Sequence, residues 1–210
     1  MIEITLHKLR TEIKSGYMKI FRPLILISLL FSSTIILGQN EYTLAGDHKI
    51  TIAGTSNVHD WEEVAETATG DGVVQWNPDA TFNIQKLNLK VSVKSLKSDK
   101  GSIMDNKTYD ALKGDDHPYI TFKMSSIKSI VKSGTGYTVK VNGDLTIAGV
   151  TKNVDINGTV YVKENGKLYI ETSKALKMTD FGIDPPTAMM GAMTVGNDIT
   201  IKFKLNFLMK

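Results

Sequence analysis

From residue 48 onward the chain alternates apolar and polar positions, the period-two mark of half-buried strands. The C-terminal run is the clearest. Ile199, Ile201, Phe203, Leu205 and Phe207 fall on one face, and Thr200, Lys202, Lys204 and Asn206 on the other. A second run sets Leu87, Leu89, Val91 and Val93 against Asn88, Lys90, Ser92 and Lys94. A third carries Tyr137, Val139, Val141, Leu145 and Ile147 and is interrupted by Gly143. A fourth carries Val154, Ile156, Val160 and Val162 and is interrupted by Gly158. Shorter runs predict strands at 48–54, 68–76, 81–85, 119–124 and 168–175.

Turn residues separate the runs: "NPDA" at 77–80, "SGTG" at 133–136, "AGVTK" at 148–152 and "ENGK" at 164–167. Asn165-Gly166 predicts a tight hairpin, because both residues tolerate positive φ. One segment departs from the alternation. "GSIMDNKTYDALKGDDHP", 101–118, predicts a short helix over 103–112. Ser102 and Asp105 have the spacing of a capping box, and Gly114 supplies a stop. The pattern is all-β and antiparallel with one short α-helix, which closes as a sandwich or a barrel. Glycines inside long strands suit the bends of a closed sheet.

Composition changes this picture mainly at the N-terminus. Lys19 and Arg22 precede an apolar run from Leu24 to Leu37, followed by Gly38 and Gln39. That layout predicts a leader over 1–39 with a signal peptide at 18–39, a domain over 40–210, and a periplasmic or secreted location. The run is short and broken by serines, so stable membrane insertion is not expected. The formal net charge of +3 resides wholly in the leader, through Lys8, Arg10, Lys14, Lys19 and Arg22 against Glu3 and Glu12. A neutral domain gives no reason to expect a nucleic-acid partner. With no Cys, the fold does not depend on disulfides.

No nucleophile elbow, phosphate-cradling loop or dinucleotide fingerprint is present. His48, His59 and His117 lack a second His or Cys at metal-ligand spacing, so neither metal nor cofactor is implied. "HDWEE" at 59–63 has two readings: Trp61 is a packed corner residue, or it lines the mouth of a site. "DDHP" at 115–118 reads as a solvated loop leading into a strand.

Four stretches carry a resemblance. "ITIAGTSNVHDWEE", "SLKSDKGSIMDNKTYDALKGDDHPYITF", "VNGDLTIAGVTKNV" and "LKMTDFGIDPPTAMMGAMTVGNDITIKFKL" occur in that order over roughly 41–208. Together they resemble the YceI-like family of exported bacterial proteins, also described as polyisoprenoid-binding. The resemblance implies an extended, lipocalin-like antiparallel β-barrel with a helix beside it. It also implies a long apolar pocket that can hold an isoprenoid chain, with quinones, polyprenyl phosphates and fatty-acid-like amphiphiles as possible ligands. No enzymatic activity is expected. The oligomeric state is left open.

The stretch 177–193, "KMTDFGIDPPTAMMGAM", holds Met178, Met189, Met190 and Met193 among prolines and glycines. Soft, adaptable thioethers suit a pocket for a chain of no fixed shape. The segment then acts as a lid; alternatively it is an irregular plug. The ligand-binding residues expected are Trp61, Met178, Phe181, Met189, Met190, Met193, Ile201, Phe203 and Leu205. The competing reading is a barrel filled by its own side chains, belonging to a non-binding envelope or stress protein.

Overall fold

The computed structural model describes residues 38–79 and 81–210. The signal peptide expected at 18–39 lies outside the described residues, except for Gly38 and Gln39. Twelve strands and one α-helix follow in chain order: β1 (Gln39–Leu44), β2 (Lys49–Ser56), β3 (Trp61–Ala65), β4 (Ala68–Trp76), β5 (Phe82–Ser92), β6 (Leu96–Ser98), α1 (Ser102–Ala111), β7 (Tyr119–Ser133), β8 (Gly136–Ile147), β9 (Val150–Val162), β10 (Leu168–Lys177), β11 (Thr187–Ala188) and β12 (Met193–Met209). Among the described residues no helix is long and apolar enough to cross a membrane.

Eight strands close an antiparallel barrel in the order β1-β4-β5-β7-β8-β9-β10-β12, with β12 returning to β1 through Leu44↔Phe207. β2, β3 and β6 extend one end of it. β2 continues along β12 where β1 stops, with Lys49↔Lys204 after Leu44↔Phe207. β3 continues β4, and β6 continues β5, in matching register. The first three strands of an up-and-down meander are therefore each broken once. The Glu66 N–H donates to Ser95 O at 3.0 Å and the Ser92 N–H to Thr67 O at 3.1 Å, which bridges two of the breaks. β6 ends the sheet without pairing to β7, and α1 lies in the connection between them. A barrel has no free edge, so the alternate residues that face inward form one continuous core.

The predicted helix is present, shifted by one residue, but not the expected cap. Gly101, at φ 83°, occupies the N-cap position, and no side chain caps the helix. Asp105 instead reaches back to β6. It accepts the Ser98 N–H at 2.8 Å and the Lys97 Nζ at 3.1 Å, which ties α1 to the sheet. The Asn165-Gly166 hairpin forms as expected, with φ of 57° and 71°. Gly143 serves close approach: a Cβ there would strike the Phe122 ring and the Lys123 carbonyl. The extra residues that bend the sheet lie opposite, in β7, where register shifts fall between Met124 and Ser126 and between Ile127 and Ser129. β1 and β3 show no clean alternation in the sequence and emerge only through pairing.

Candidate ligand-binding site

Along β12, Ile201, Leu205 and Phe207 are buried, Ile199 and Phe203 half-buried, while Lys202 and Lys204 are exposed. The inward residues face three apolar cavities that lie end to end. The first, about 90 Å³, sits at the α1 end and is bounded by Ile52, Ile120 and Ile201. The second, about 40 Å³, shares those three isoleucines. It meets the third, about 70 Å³, at Leu89, Phe122, Ile156 and Phe203. Shared walls make one elongated tract down the barrel, with Phe122 and Phe203 at its constriction.

The α1 end is built by two irregular pieces of chain. On α1, Met104, Lys107, Thr108, Ala111 and Leu112 line the first cavity. Their spacing of i, i+3, i+4, i+7 and i+8 is that of one helical face. From the other side comes the segment following β10. A short 3₁₀ turn at Met178–Phe181 buries Met178 and Phe181, and Ile183 follows them inward. Gly182 closes the turn at φ 64°, a left-handed conformation that favours glycine. After Pro186 the chain returns to the surface.

The expected site residues divide accordingly. Trp61, Met178, Phe181, Met193 and Ile201 all line the first cavity, and Phe203 and Leu205 line the third. Met190 does not join them: it is 109% exposed, at φ 55°, and its side chain lies in solvent. Nothing of the Met189 side chain is described. The methionine-rich stretch thus turns Met178, Phe181 and Ile183 inward, while Met190 lies on the outer rim. The two readings of Trp61 hold together. Its ring lies over Gly54, where a Cβ would collide with it, its Nε1 donates to Thr55 O at 3.1 Å, and it also lines the cavity. His117, read as part of a solvated loop, is half-buried and packs on Gly149 of the β8–β9 turn.

Sequence reasoning missed Glu63. Its carboxyl is 2% exposed and lines the first cavity. The Thr108 hydroxyl of α1 donates to its Oε1. Burial pushes the Glu63 carboxyl above the usual glutamate range. The Thr108 bond opposes this, and the nearby Asp105 charge adds to it. Asp105 itself is held below the usual range, first by the Ser98 N–H and then by Lys97. The sequence carries little signal for it: Trp61, Glu63 and Ala65 share one face of β3, but the charge of Glu63 on that face and Val64 on the other break the apolar alternation.

The comparisons agree with this architecture. The profile of the YceI-like domain family matches residues 42–207. No curated protein matches the chain significantly. Among solved structures, a polyisoprenoid-binding domain from Saccharophagus degradans superposes with a TM-score of 0.62 at 12% identity, covering 80% of this chain and 98% of that one. Burkholderia cenocepacia BcnA gives 0.59 at 20% identity, covering 76% and 95%. The Campylobacter jejuni YceI protein gives 0.52 at 21% identity, covering 70% and 84%.

Proposed function

The chain belongs to the YceI-like family, and on that premise we propose that it binds a long apolar molecule inside the barrel and shields it from water. The ligand is a polyisoprenoid, an isoprenoid quinone or a fatty-acid-like amphiphile. The carrying observation is the set of three apolar cavities in a line with shared walls. A flexible linear chain fits a narrow tract of this kind, and each methylene moved from water into it contributes roughly 0.8 kcal/mol. The voids also have an energetic meaning. An unfilled apolar cavity destabilises by about 24 cal/mol per Å³, so the 90 Å³ space alone amounts to about 2 kcal/mol that a ligand can recover. This favours a binding barrel over one filled by its own side chains.

Relatives support the same role. The neighbour from Saccharophagus degradans is a polyisoprenoid-binding domain, and the family consists of binding proteins rather than enzymes. With the leader expected at 18–39, the proposed site of action is the periplasm or the exterior of the cell. Lipid extraction and mass spectrometry of protein purified from its own host tests the reading. An apolar chain in near-stoichiometric amount is expected. Absence of any lipid, together with no uptake of a fluorescent polyprenol by delipidated protein, overturns it. Export is tested separately by intact mass: the exported protein should begin near Gln39 or Asn40.

A further inference from the structure

A single carboxyl interrupts the apolar lining at the α1 end. Glu63 projects from β3 into the first cavity, 2% exposed, and Thr108 donates to its Oε1. Among the described residues, Oε2 accepts no hydrogen bond. Glu63 lines the cavity with this second oxygen left to a ligand.

Neither cation near this end of the barrel pairs with Glu63. Lys97, on the neighbouring β6, is 3.1 Å from Asp105 and donates to the Tyr109 hydroxyl at 2.9 Å. Lys107, on α1 at the mouth, donates to Thr187 O at 3.4 Å. No ion pair among the described residues includes Glu63, and the nearest charge of known influence is the repelling Asp105 carboxylate. Burial, a neighbouring carboxylate and the lack of a paired cation all favour the protonated form, and a protonated carboxyl can donate.

We propose that Glu63, positioned by Thr108, is the polar anchor for an uncharged oxygen headgroup, a ketone or alcohol carried by the apolar chain. The cavity therefore takes quinone- or polyprenol-type ligands and rejects phosphorylated ones. The assignment rests on the lipid-binding reading above and names its ligand class. A carbonyl accepts the Glu63 proton, and an alcohol can both accept it and donate back. A phosphate headgroup held at Glu63 would set a second charge in an apolar space beside two carboxyls, and Lys107, the cation in the lining of the first cavity, makes no ion pair with Glu63.

The test uses delipidated full-length domain and four probes: an isoprenoid quinone, a polyprenol, the matching polyprenyl phosphate, and an isoprenoid hydrocarbon lacking oxygen. Quinone and polyprenol are expected to bind more tightly than the hydrocarbon, and the phosphate more weakly than the polyprenol by roughly tenfold or more. Glu63→Leu should abolish the difference in affinity between the quinone and the hydrocarbon. Glu63→Gln keeps a donor and should retain the quinone preference. Thr108→Val leaves the shape of α1 unchanged and should weaken the preference partly, which covers the case in which Glu63→Leu fails to fold. Infrared spectra should show a protonated-carboxyl band that shifts on quinone binding and is missing in Glu63→Gln. Binding of the phosphate as tightly as the polyprenol overturns the assignment. So does a quinone preference unchanged in Glu63→Leu. Hydrocarbon binding without headgroup preference defeats the anchor alone, whereas binding of none of the four probes defeats the lipid-binding reading as well.

Discussion

The two ends of the barrel are closed by different chemistry. At the hairpin end, Trp76 Nε1 donates to the Tyr42 hydroxyl at 3.2 Å, and that hydroxyl donates to Gly166 O at 3.1 Å. Phe82 packs between Trp76 and Tyr137, with ring centroids 5.2 and 4.9 Å away. Tyr42 and Phe207 are almost wholly buried there. The polar atoms of Trp76 and Tyr42 are hydrogen-bonded, and large rings pack around them. At the α1 end the closing pieces are a helix, a 3₁₀ turn and a loop, and they leave the largest of the three cavities with a carboxyl in its wall. Dense aromatic packing makes the hairpin end a stability element. The α1 end gives up packing density for room, which is what admitting a ligand requires.

Substitutions can break this contrast, and the largest effect is expected at the constriction between the ends. Phe203→Asp would bury an unpaired charge and should cost about 4 kcal/mol or more, while Lys202→Asp on the outer face should cost below about 0.5 kcal/mol. Chemical denaturation of both variants checks the facing of β12; equal effects would contradict it. Next come truncations at each end. Phe82→Ala at the hairpin end, a buried ring that lines none of the three cavities, should lose about 3–5 kcal/mol, with no rescue by lipid. Met178→Ala at the α1 end should lose about 2–3 kcal/mol, and part of this should return on adding a polyprenol, because the ligand can occupy the enlarged space. Thermal unfolding with and without the lipid separates the two.

A smaller effect is expected from pH. The Glu63 carboxyl is raised in the folded state above its ordinary value of 4.5. Below 4.5 it is protonated in both states and carries no penalty. As pH rises from there through the raised folded value, the unfolded chain gives up the proton first, and wild-type stability falls relative to Glu63→Gln. The melting-temperature difference between the variant and the wild type should therefore grow from acid to neutral pH; a constant difference would mean Glu63 is not perturbed. Carboxylates such as Asp105, held below their usual range, act in the opposite direction but are common to both proteins and cancel. The smallest effect belongs to the rim. Met190→Ala should change stability by less than about 0.5 kcal/mol and leave lipid retention intact, since the side chain is fully in solvent.

Much of the barrel was legible because alternation is a local consequence of strand geometry. Ile199 to Phe207, Val139 to Ile147 and the Asn165-Gly166 turn each carry their signal within a few residues. β1 and β3 were not legible. Their inward positions, such as Tyr42, Glu63 and Ala65, do not read as an apolar alternation, and they become strands only because β2, β4 and β12 offer ladder partners. The expected capping box failed for a related reason: Asp105 had a better donor in the Ser98 N–H, which sequence spacing does not reveal.

The site divides along the same line. Residues on β12 could be placed by parity, so the inward facing of Ile201, Phe203 and Leu205 follows from the sequence alone, as do the all-β class, the single helix and the family. Whether a methionine in an irregular segment turns inward or outward depends on backbone angles and on what packs opposite. Met178 is therefore buried and Met190 is not, although the same composition surrounds both. Glu63 became visible only when β3 turned it into the barrel and Thr108 arrived from α1, 45 residues away, to meet it. Patterning records which face of an element is apolar. It does not record which space the assembled elements leave unfilled, and that space, with its one carboxyl, was decided by the tertiary structure.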